Sequence, residues 1–243
     1  MVLDDPLAQM PIDIIIPFHA QYERVHKVVD SIWRGVKSNP YTICLVDDGS
    51  PNKGYVKLYE KSPRTEIVQL ETQMGFGAAL QAGFMATENP FVAFLHSDCI
   101  VEPHCFFHLS KLLMKMENDG VAMVSARTDN PGDGAQRLKG RKGKPTKDFV
   151  LEEECLPLYC VLCRRSLFRQ IGGFVKPYPY GYYEDEELAY RMKHFGFKQA
   201  VSGLAWVDHV GGATFNAIAN NKVAEAVEKN RERCLQDMAE LGA

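Results

Sequence analysis

The segment IDIIIPFHAQYERVHKVVDSIWRGV, residues 12–36, decides the fold class. Its first part, residues 12–17, is a short apolar run that ends in a proline, which is typical of a parallel strand buried on both faces. Its second part, residues 21–36, carries apolar side chains at helical spacing. The segment therefore predicts a buried strand followed by a helix that packs against a sheet.

The same alternation continues along the chain. Further strands are predicted at residues 41–46, 66–70, 91–95, 121–126 and 156–163, and helices near residues 53–60, 78–87, 104–118 and 165–171. Strands that alternate with helices form a mostly parallel sheet with helices on both faces. From residue 221 onward an amphipathic stripe predicts a C-terminal helix docked on the domain, with a dimerisation helix as the alternative. We therefore predict an α/β protein with a C-terminal helical tail.

Composition and charge narrow the functional classes. The 243 residues are enough for one large domain, and 46% apolar and 24% charged residues are ordinary for a globular protein. The formal net charge of −3 argues against electrostatic binding to nucleic acid. No apolar run approaches the roughly 20 residues of a transmembrane helix, and the N-terminus lacks the features of a signal peptide. A cytoplasmic location is expected.

The seven cysteines are an odd number without a secretory signal, which argues against a disulfide framework. Cys155, Cys160 and Cys163 are close enough in sequence to suggest zinc. However, the last two lie in an apolar, strand-like stretch without a matching second pair. Buried thiols are therefore the favoured interpretation, and a zinc site is the alternative.

Acidic and imidazole side chains follow the predicted strands. FLHSD, residues 94–98, places Asp98 just beyond a strand, where parallel sheets bind ligands. A carboxylate there suits Mg²⁺ or Mn²⁺, and His96 would point to the same side of an extended segment. His209, within VDHVGG at residues 207–212, is a further candidate ligand, and imidazole ligands favour Mn²⁺ over Mg²⁺. The alternatives are a helix cap for Asp98 and structural roles for the histidines.

Two other motifs suit a nucleotide. LVDDGS, residues 45–50, ends the second strand in Asp47 and Asp48, whose carboxylates suit base N–H groups or ribose hydroxyls. The same residues are equally consistent with a simple Asx turn. Gly75 and Gly77 precede a predicted helix, where glycine lets backbone N–H groups approach phosphates.

Four consecutive carboxylates, residues 184–187, stand at the start of a predicted helix. A carboxylate in this position is a candidate general base. The alternative is that these residues simply interact well with the helix dipole. Crowded like charges raise carboxylate pKa values and a helix N-terminus lowers them, so the net pKa shift stays open.

The pattern breaks at residues 127–147, which are rich in Gly, Pro and Asp and then turn basic. RLKGRKGKPTK, residues 137–147, has six Lys or Arg in eleven positions. One interpretation is a solvated mobile loop, and the other is a flap whose cations meet phosphates or an anionic acceptor. Similarly, the tyrosines within residues 176–183 suit either a carbohydrate surface or packing on the sheet.

Together, and in this order, the motifs resemble glycosyltransferase family 2, enzymes of the GT-A fold, across about residues 12–212. The segments that carry the resemblance are IIIPFHAQYERVHKVVDSI, ICLVDDGS, MGFGAALQAGF, PFVAFLHSDCIVEP, IGGFVKPYPYGYYEDEELAYRMKHFGF and VDHVGGATF. The resemblance implies transfer of a sugar, with inversion, from a UDP-, GDP- or dTDP-sugar to a carbohydrate or other hydroxyl acceptor. It also implies a divalent metal, Mn²⁺ or Mg²⁺.

The family likeness assigns roles to particular residues. It places Pro17 and Asp47 in the nucleotide pocket, Asp98 at the metal and His209 at the metal or diphosphate, and it makes Asp185 the catalytic base. The full candidate set adds Phe18, Asp48, Gly75, Gly77 and Ser97 for the nucleotide, His96 for the metal and Glu184 for catalysis. The expected organisation is a nucleotide-binding half at 11–100, an acceptor half at 101–212 and a terminal helix at 213–243.

Two positions depart from the family pattern. His96 stands where the Asp-x-Asp motif has its first carboxylate, and Gln81 stands where relatives commonly have Asn. The first departure motivates one alternative, a non-catalytic carbohydrate-binding or pseudo-transferase module. A second alternative is an NAD(P)-dependent oxidoreductase, because Gly75 and Gly77 follow a strand and Asp98 lies about 20 residues beyond. Leu80 at the third fingerprint position argues against it.

Overall fold

Strands and helices alternate along the chain, as the sequence predicts. The computed structural model describes residues 10–37, 39–130, 149–152, 155–174, 178–210 and 220–242. The strands in these ranges are β1 (Ile12–Phe18), β2 (Tyr41–Asp47), β3 (Thr65–Gln69), β4 (Phe91–Leu95), β5 (Cys99–Val101), β6 (Val121–Arg127), β7 (Phe149–Glu152), β8 (Cys160–Arg164) and β9 (Lys198–His209). The α-helices are α1 (Tyr22–Gly35), α2 (Phe76–Ala86), α3 (Cys105–Lys115), α4 (Arg165–Gln170), α5 (Glu184–His194) and α6 (Asn220–Gly242).

One sheet runs through the protein in the order β3-β2-β1-β4-β8-β6-β9-β5, and β7 pairs with β9 beside this path. Strands β1 to β4 are mutually parallel, and β6 is parallel to β9. Strand β8 lies antiparallel between β4 and β6. The predicted fold class, a mostly parallel sheet flanked by helices with a C-terminal helix, is confirmed.

An apolar core lies on each face of the sheet. Ile14 packs with Ile32 of α1 and Leu109 of α3 in one core. Its neighbour Ile15 packs with Leu80 of α2 and Leu188 of α5 in the other. Because successive residues of a strand point to opposite faces, a strand between two cores must be apolar throughout, which explains the sequence of β1.

The structure corrects some predicted elements. The α-helix predicted at 53–60 is wrong, because only a single 3₁₀ turn, Tyr55–Leu58, forms there. Oδ1 of Asn52 accepts the backbone N–H of Gly54 at 3.1 Å, and such local bonds compete with helix formation. The strand predicted at 156–163 begins only at Cys160.

A buried ion pair ties α4 to the start of β1. Nη2 of Arg165 lies 2.8 Å from Oδ2 of Asp13, and both side chains are almost fully buried. The guanidinium also donates to main-chain oxygens of Asn89 and Phe84, at 2.6 and 2.7 Å. This network lies at the amino end of β1, opposite the edge where ligands of parallel sheets bind, so we assign it a structural role.

Some predictions fall on residues that the structure does not describe. The basic stretch 137–147, residues 176 and 177 of the tyrosine-rich segment, and the two glycines of VDHVGG lie outside the described ranges. Within those ranges, no helix has both the length and the apolar character needed to cross a membrane. The cytoplasmic location stays a prediction.

Candidate active site

The carboxyl ends of three parallel strands meet at one edge of the sheet. Phe18, the last residue of β1, is paired in register with Asp47, the last residue of β2. Pro17 precedes Phe18, and both are buried. Ser97 and Asp98 follow β4 and are also buried, at 8% and 6% exposure. The candidate nucleotide and metal residues of the first half of the chain therefore share one edge.

Three side chains that could ligate a metal ion converge at this edge: His96, Asp98 and His209. Each offers one ligand atom, and these atoms lie within 4.8 Å of one another. Oδ1 of Asp98 is 3.4 Å from Nε2 of His209 and 3.9 Å from Nδ1 of His96. It is the only such group of three or more His, Cys, Asp or Glu side chains among the residues that the structure describes.

Strand pairing brings His209 to this cluster from the far end of the sheet. The end of β9 runs antiparallel to β5, with His209 opposite Cys99. Since Cys99 directly follows Asp98, this register places the imidazole beside the carboxylate. The backbone N–H of Val210 also donates to the main-chain oxygen of Asp98, at 3.3 Å.

The orientation of the His209 ring is fixed by its neighbours. Nδ1 lies 2.8 Å from the main-chain oxygen of Asn130, which can only accept a hydrogen bond, so Nδ1 carries a proton. The ring stacks on Tyr159 at a centroid distance of 5.1 Å. The amide of Asn130 also donates to the main-chain oxygens of His209 and Val210, at 3.2 and 2.7 Å. In the neutral ring, the Nε2 lone pair therefore faces Asp98.

The protonation states suit a cation. Burial, together with the charge of His209, lowers the pKa of His96 to about 4, so this imidazole is neutral near pH 7. Burial alone would raise the pKa of Asp98, but the hydrogen bond that His209 donates in its protonated form, together with the nearby positive charges, lowers it. The cluster therefore offers one carboxylate and a neutral His96 near pH 7.

This donor set fits a divalent transition metal. Nε2 of His209 and Oδ1 of Asp98 are two acceptors 3.4 Å apart when His209 is neutral, an arrangement that a cation between them stabilises. Imidazole and carboxylate ligands suit Mn²⁺ or Zn²⁺ better than Mg²⁺, which prefers oxygen ligands alone. The hydrogen bond from Nδ1 of His209 to a carbonyl is the usual outer support of a ligating histidine.

The sequence reasoning missed a cation at this cluster. Arg24, in the first turns of α1, places Nη1 3.9 Å from Oδ2 of Asp98. That nitrogen is buried and has no hydrogen-bond partner, although 38% of the side chain is exposed. Asp98 thus directs Oδ1 toward the imidazoles and Oδ2 toward Arg24. Only the helix register, which turns Arg24 toward the sheet edge, would have indicated this contact.

Asp47 has one oxygen committed to the fold and one beside polar side chains. Its Oδ1 accepts the backbone N–H of Ser50 at 2.8 Å, which is the turn-forming role considered from the sequence. Its Oδ2 lies 3.4 Å from Nε2 of Gln69 and 3.7 Å from Nζ of Lys53. The turn-forming and nucleotide-binding interpretations of Asp47 are therefore compatible.

Asp48 is hydrogen-bonded to the glycine-rich turn that contains Gly75. The two carboxylate oxygens of Asp48 accept the backbone N–H groups of Met74 and Gly75, at 2.6 and 3.0 Å. Burial outweighs these bonds and raises the pKa of Asp48. The sequence predicts that the N–H of Gly75 approaches a phosphate, but in the structure this N–H donates to Asp48. A Cβ on Gly77 would lie 3.4 Å from Cβ of Glu184, an ordinary van der Waals distance, so α2 packs closely against α5 at this position.

Glu184 and Asp185 begin α5, as the sequence predicts. Burial and the nearby charge of Glu186 raise the pKa of Glu184 to about 8, and its Oε2 is buried without a hydrogen-bond partner. Burial, together with Glu186 and Glu184, raises the pKa of Asp185 well above its ordinary value. Burial and the neighbouring carboxylates thus outweigh the backbone hydrogen bonds at the start of α5, so the pKa of both carboxyl groups shifts upward.

Helix α2 contacts both α5 and the cluster of His96, Asp98 and His209. Glu184 packs against Gly77, and the ring of the neighbouring Phe76 contacts His96 edge-on at a centroid distance of 4.6 Å. A second buried ion pair, in which Arg191 lies 2.5 Å from Glu187, helps to hold α5, because Arg191 also donates to main-chain oxygens of the loop after α4. The start of α5 and the cluster thus both contact the first turn of α2.

Two of the three cysteines considered as zinc ligands lie in different apolar cores. Cys160 belongs to the core on one face of the sheet, and Cys163 belongs to the core on the other. They therefore cannot bind one metal ion together. Burial raises the pKa of Cys163 well above its ordinary value, which agrees with an inert buried thiol.

Known proteins resemble this chain over most of its length. The model of the family described as "Glycosyl transferase family 2" matches residues 13–175. Glycosyltransferase AglE of Haloferax volcanii is 22% identical over 171 residues, which cover 67% of this chain and 55% of AglE. Dolichyl-phosphate beta-glucosyltransferase ALG5A of Trichomonas vaginalis is 28% identical over 154 residues, which cover 57% of this chain and 46% of ALG5A. The chain spans about half the length of these relatives.

A solved structure agrees with the fold. The crystal structure of GalNAc-T7 with UDP, GalNAc and Mn²⁺ matches with a TM-score of 0.69 at 16% sequence identity, covering 83% of this chain and 44% of GalNAc-T7. At this identity the likeness concerns the fold alone. It confirms the GT-A fold expected from the sequence.

Proposed function

The chain belongs to glycosyl transferase family 2, and on that premise we propose that it transfers a sugar from a nucleoside-diphosphate sugar to an acceptor hydroxyl, with inversion. The observation that carries the proposal is the cluster of His96, Asp98 and His209 at the carboxyl edge of the sheet. Ligands of parallel α/β sheets bind beyond the carboxyl ends of the strands, so the diphosphate of a donor is expected beside this cluster.

The proposed donor site combines the candidate metal ligands with the candidate nucleotide-binding residues. Asp98, His96 and His209 would hold a divalent cation, which would supply positive charge against the charge that develops on the departing diphosphate. Asp47 accepts hydrogen bonds from the nucleotide through the oxygen that does not form the turn. The remaining proposed residues of the nucleotide pocket are Pro17, Phe18, Ser97, Asp48, Gly75 and Gly77. The last three shape the pocket, since their contacts are with the protein itself.

Asp185 is the proposed catalytic base, with Glu184 beside it. In its ionised form Asp185 takes the proton of the acceptor hydroxyl while that oxygen bonds to the anomeric carbon. The bond from this carbon to the diphosphate breaks on the opposite side, so the configuration inverts and a nucleoside diphosphate leaves. The raised pKa makes Asp185 a stronger base than an ordinary carboxylate.

We assign residues 11–100 to a nucleotide-binding half, residues 101–212 to an acceptor half and residues 213–243 to the C-terminal segment that contains α6. UDP is the first donor nucleotide to test, because GalNAc-T7 of the same fold was crystallised with UDP and Mn²⁺. Thermal unfolding is measured with UDP, GDP, dTDP and NAD⁺, each with Mn²⁺ and with EDTA. A ligand at 100 times its Kd adds roughly 2.7 kcal/mol of stability.

We expect one nucleoside diphosphate to stabilise the protein with Mn²⁺ and not with EDTA. Stabilisation by NAD⁺ and by none of the three nucleoside diphosphates would instead favour the oxidoreductase interpretation. Binding of a nucleoside diphosphate without any release of it from sugar donors would favour the pseudo-transferase. No stabilisation by any nucleotide would contradict the proposed donor site.

A further inference from the structure

Four consecutive residues before α5 have left-handed backbone conformations. Their φ values are 66° at Tyr180, 93° at Gly181, 71° at Tyr182 and 72° at Tyr183. Glycine adopts such angles readily, but a residue with a Cβ rarely does. Strained segments of this kind persist only where the surrounding structure holds them. We call residues 180–183 the tyrosine turn.

Helix α6 holds one side of the tyrosine turn. Nδ2 of Asn230 donates to the main-chain oxygens of Pro179 and Gly181, at 3.0 and 2.8 Å. Only 3% of Asn230 is exposed, so water does not compete well for these bonds. Sγ of Cys234 donates to the main-chain oxygen of Tyr183 at 3.8 Å.

The buried face of α6 is more polar than the sequence predicts. Asn230, Cys234 and Asp237 are buried and recur at helical spacing, whereas the apolar Leu235 of the same helix is 55% exposed. The hydroxyl of Tyr178 donates to Oδ2 of Asp237 at 3.1 Å. Docking alone would favour apolar side chains on this face, so its polar groups indicate that α6 recognises the segment before α5.

The start of α2 contacts the other side of the tyrosine turn. A Cβ on Gly75 would lie 2.6 Å from the main-chain oxygen of Tyr178 and 3.1 Å from the nitrogen of Tyr180. The backbone of Gly75 is itself bonded to Asp48 at the end of β2. The tyrosine turn is therefore held between α6 and the edge of the sheet that carries the proposed donor site.

The tyrosine turn decides where α5 begins. Tyr183 is the N-cap of α5, and its main-chain oxygen accepts the N–H of Glu187. Glu184 and Asp185 follow at once. We propose that Asn230 is a positioning residue that holds the tyrosine turn and so fixes these two carboxylates relative to the metal cluster. This inference rests on the proposed function for Asp185, and it concerns a helix beyond residue 175, where the family match ends.

The test is Asn230→Leu, which keeps the size of the side chain and removes both N–H donors. We expect amide hydrogen exchange in residues 180–186 to rise at least tenfold, with exchange in β1 and β4 unchanged. The kcat for sugar transfer is expected to fall at least tenfold. The KM for the donor and the Mn²⁺ affinity stay within twofold of wild type, because the cluster itself is carried by other elements.

Three further variants control the test. Arg231→Ala, on the exposed face of α6, is expected to change neither exchange nor kcat. Ile32→Val, in α1, loses stability in the core on the opposite face of the sheet from the core that contains α5, and it shows what general destabilisation does. Tyr178→Phe removes the bond to Asp237 and is expected to act in the same direction as Asn230→Leu, so the test stands even if that variant does not fold.

Unchanged exchange in residues 180–186 overturns the inference, and so does raised exchange with an unchanged kcat. A joint loss of kcat and donor affinity, as general destabilisation would produce, also overturns it. If the wild-type protein transfers no sugar, the proposed function fails, and the hydrogen-exchange result alone decides whether Asn230 holds the tyrosine turn.

Discussion

Nε2 of His209 lies 3.4 Å from Oδ1 of Asp98, although the two residues are far apart in the sequence. The contact exists because the end of β9 pairs with β5, which directly follows Asp98. The site is therefore assembled only when the sheet is complete. A metal bound there would stabilise the folded protein, because the unfolded chain has no preformed site.

Asn130→Ala is expected to weaken Mn²⁺ binding by less than the roughly 10- to 100-fold typical for loss of an outer-shell partner of a metal ligand, because the main-chain oxygen that accepts Nδ1–H of His209 remains. The variant removes the amide that holds the backbone of His209 and Val210. The affinity is measured by titration of Mn²⁺ into the metal-free protein. Asn118→Ala, at an exposed position, is the control. Equal affinity in wild type and Asn130→Ala would show that this support is dispensable.

Asp185→Asn is expected to bind donor normally and to lose about 10²- to 10⁴-fold in transfer rate, the range typical of general base catalysis. The amide keeps the size of the side chain but cannot take a proton. Release of nucleoside diphosphate in the presence of acceptor measures the rate. Asp119→Asn, on the surface, is the matched control. Full activity in Asp185→Asn would remove this residue from the mechanism.

The contribution of Glu184 to stability is expected to fall as the pH rises from about 4.5 to about 8. Burial raises its pKa from the ordinary value of 4.5 to about 8 in the folded protein. Between these values the folded state holds a proton that the unfolded chain has released, so raising the pH favours unfolding. Melting temperatures across this range should fall less in Glu184→Gln. Parallel pH profiles for the two proteins would mean that Glu184 ionises normally.

Asp13→Ala is expected to cost about 3–5 kcal/mol of stability, because it leaves the buried guanidinium of Arg165 without its charge partner. Glu117→Ala breaks the more exposed pair with Arg164 and should cost about 1 kcal/mol or less. Denaturant unfolding measures both changes. Mn²⁺ affinity should stay unchanged in each variant, since both pairs lie away from the cluster. Similar costs for the two variants would contradict the structural role of the Asp13 network.

The sequence predicts the strand ends well, because buried parallel strands are continuous apolar runs. The runs before Asp47 and Asp98 reveal which carboxylates reach the ligand-binding edge. Strand β9 was not predicted, since Ser202, Gly203 and Asp208 interrupt its apolar pattern. His209 was placed at the site only by the order of the motifs.

The supporting contacts could not be predicted from local patterns. Asn130 and Arg24 meet the cluster through pairings of distant elements. Likewise Asp48 suits a nucleotide or a turn equally well in sequence, and only the structure shows both its oxygens bonded to the backbone of the glycine-rich turn. The sequence does not predict the buried polar residues of α6, because helical periodicity assigns a buried face from apolar residues alone.

The most direct test of the metal site is a titration of Mn²⁺ followed by electron paramagnetic resonance, on wild type and Asp98→Asn, with and without the nucleoside diphosphate that stabilises the protein. We predict one Mn²⁺ bound per wild-type chain, bound more tightly when the nucleotide is present, and loss of both effects in Asp98→Asn. Equal Mn²⁺ binding by the two proteins would contradict the assignment of His96, Asp98 and His209 as the metal site.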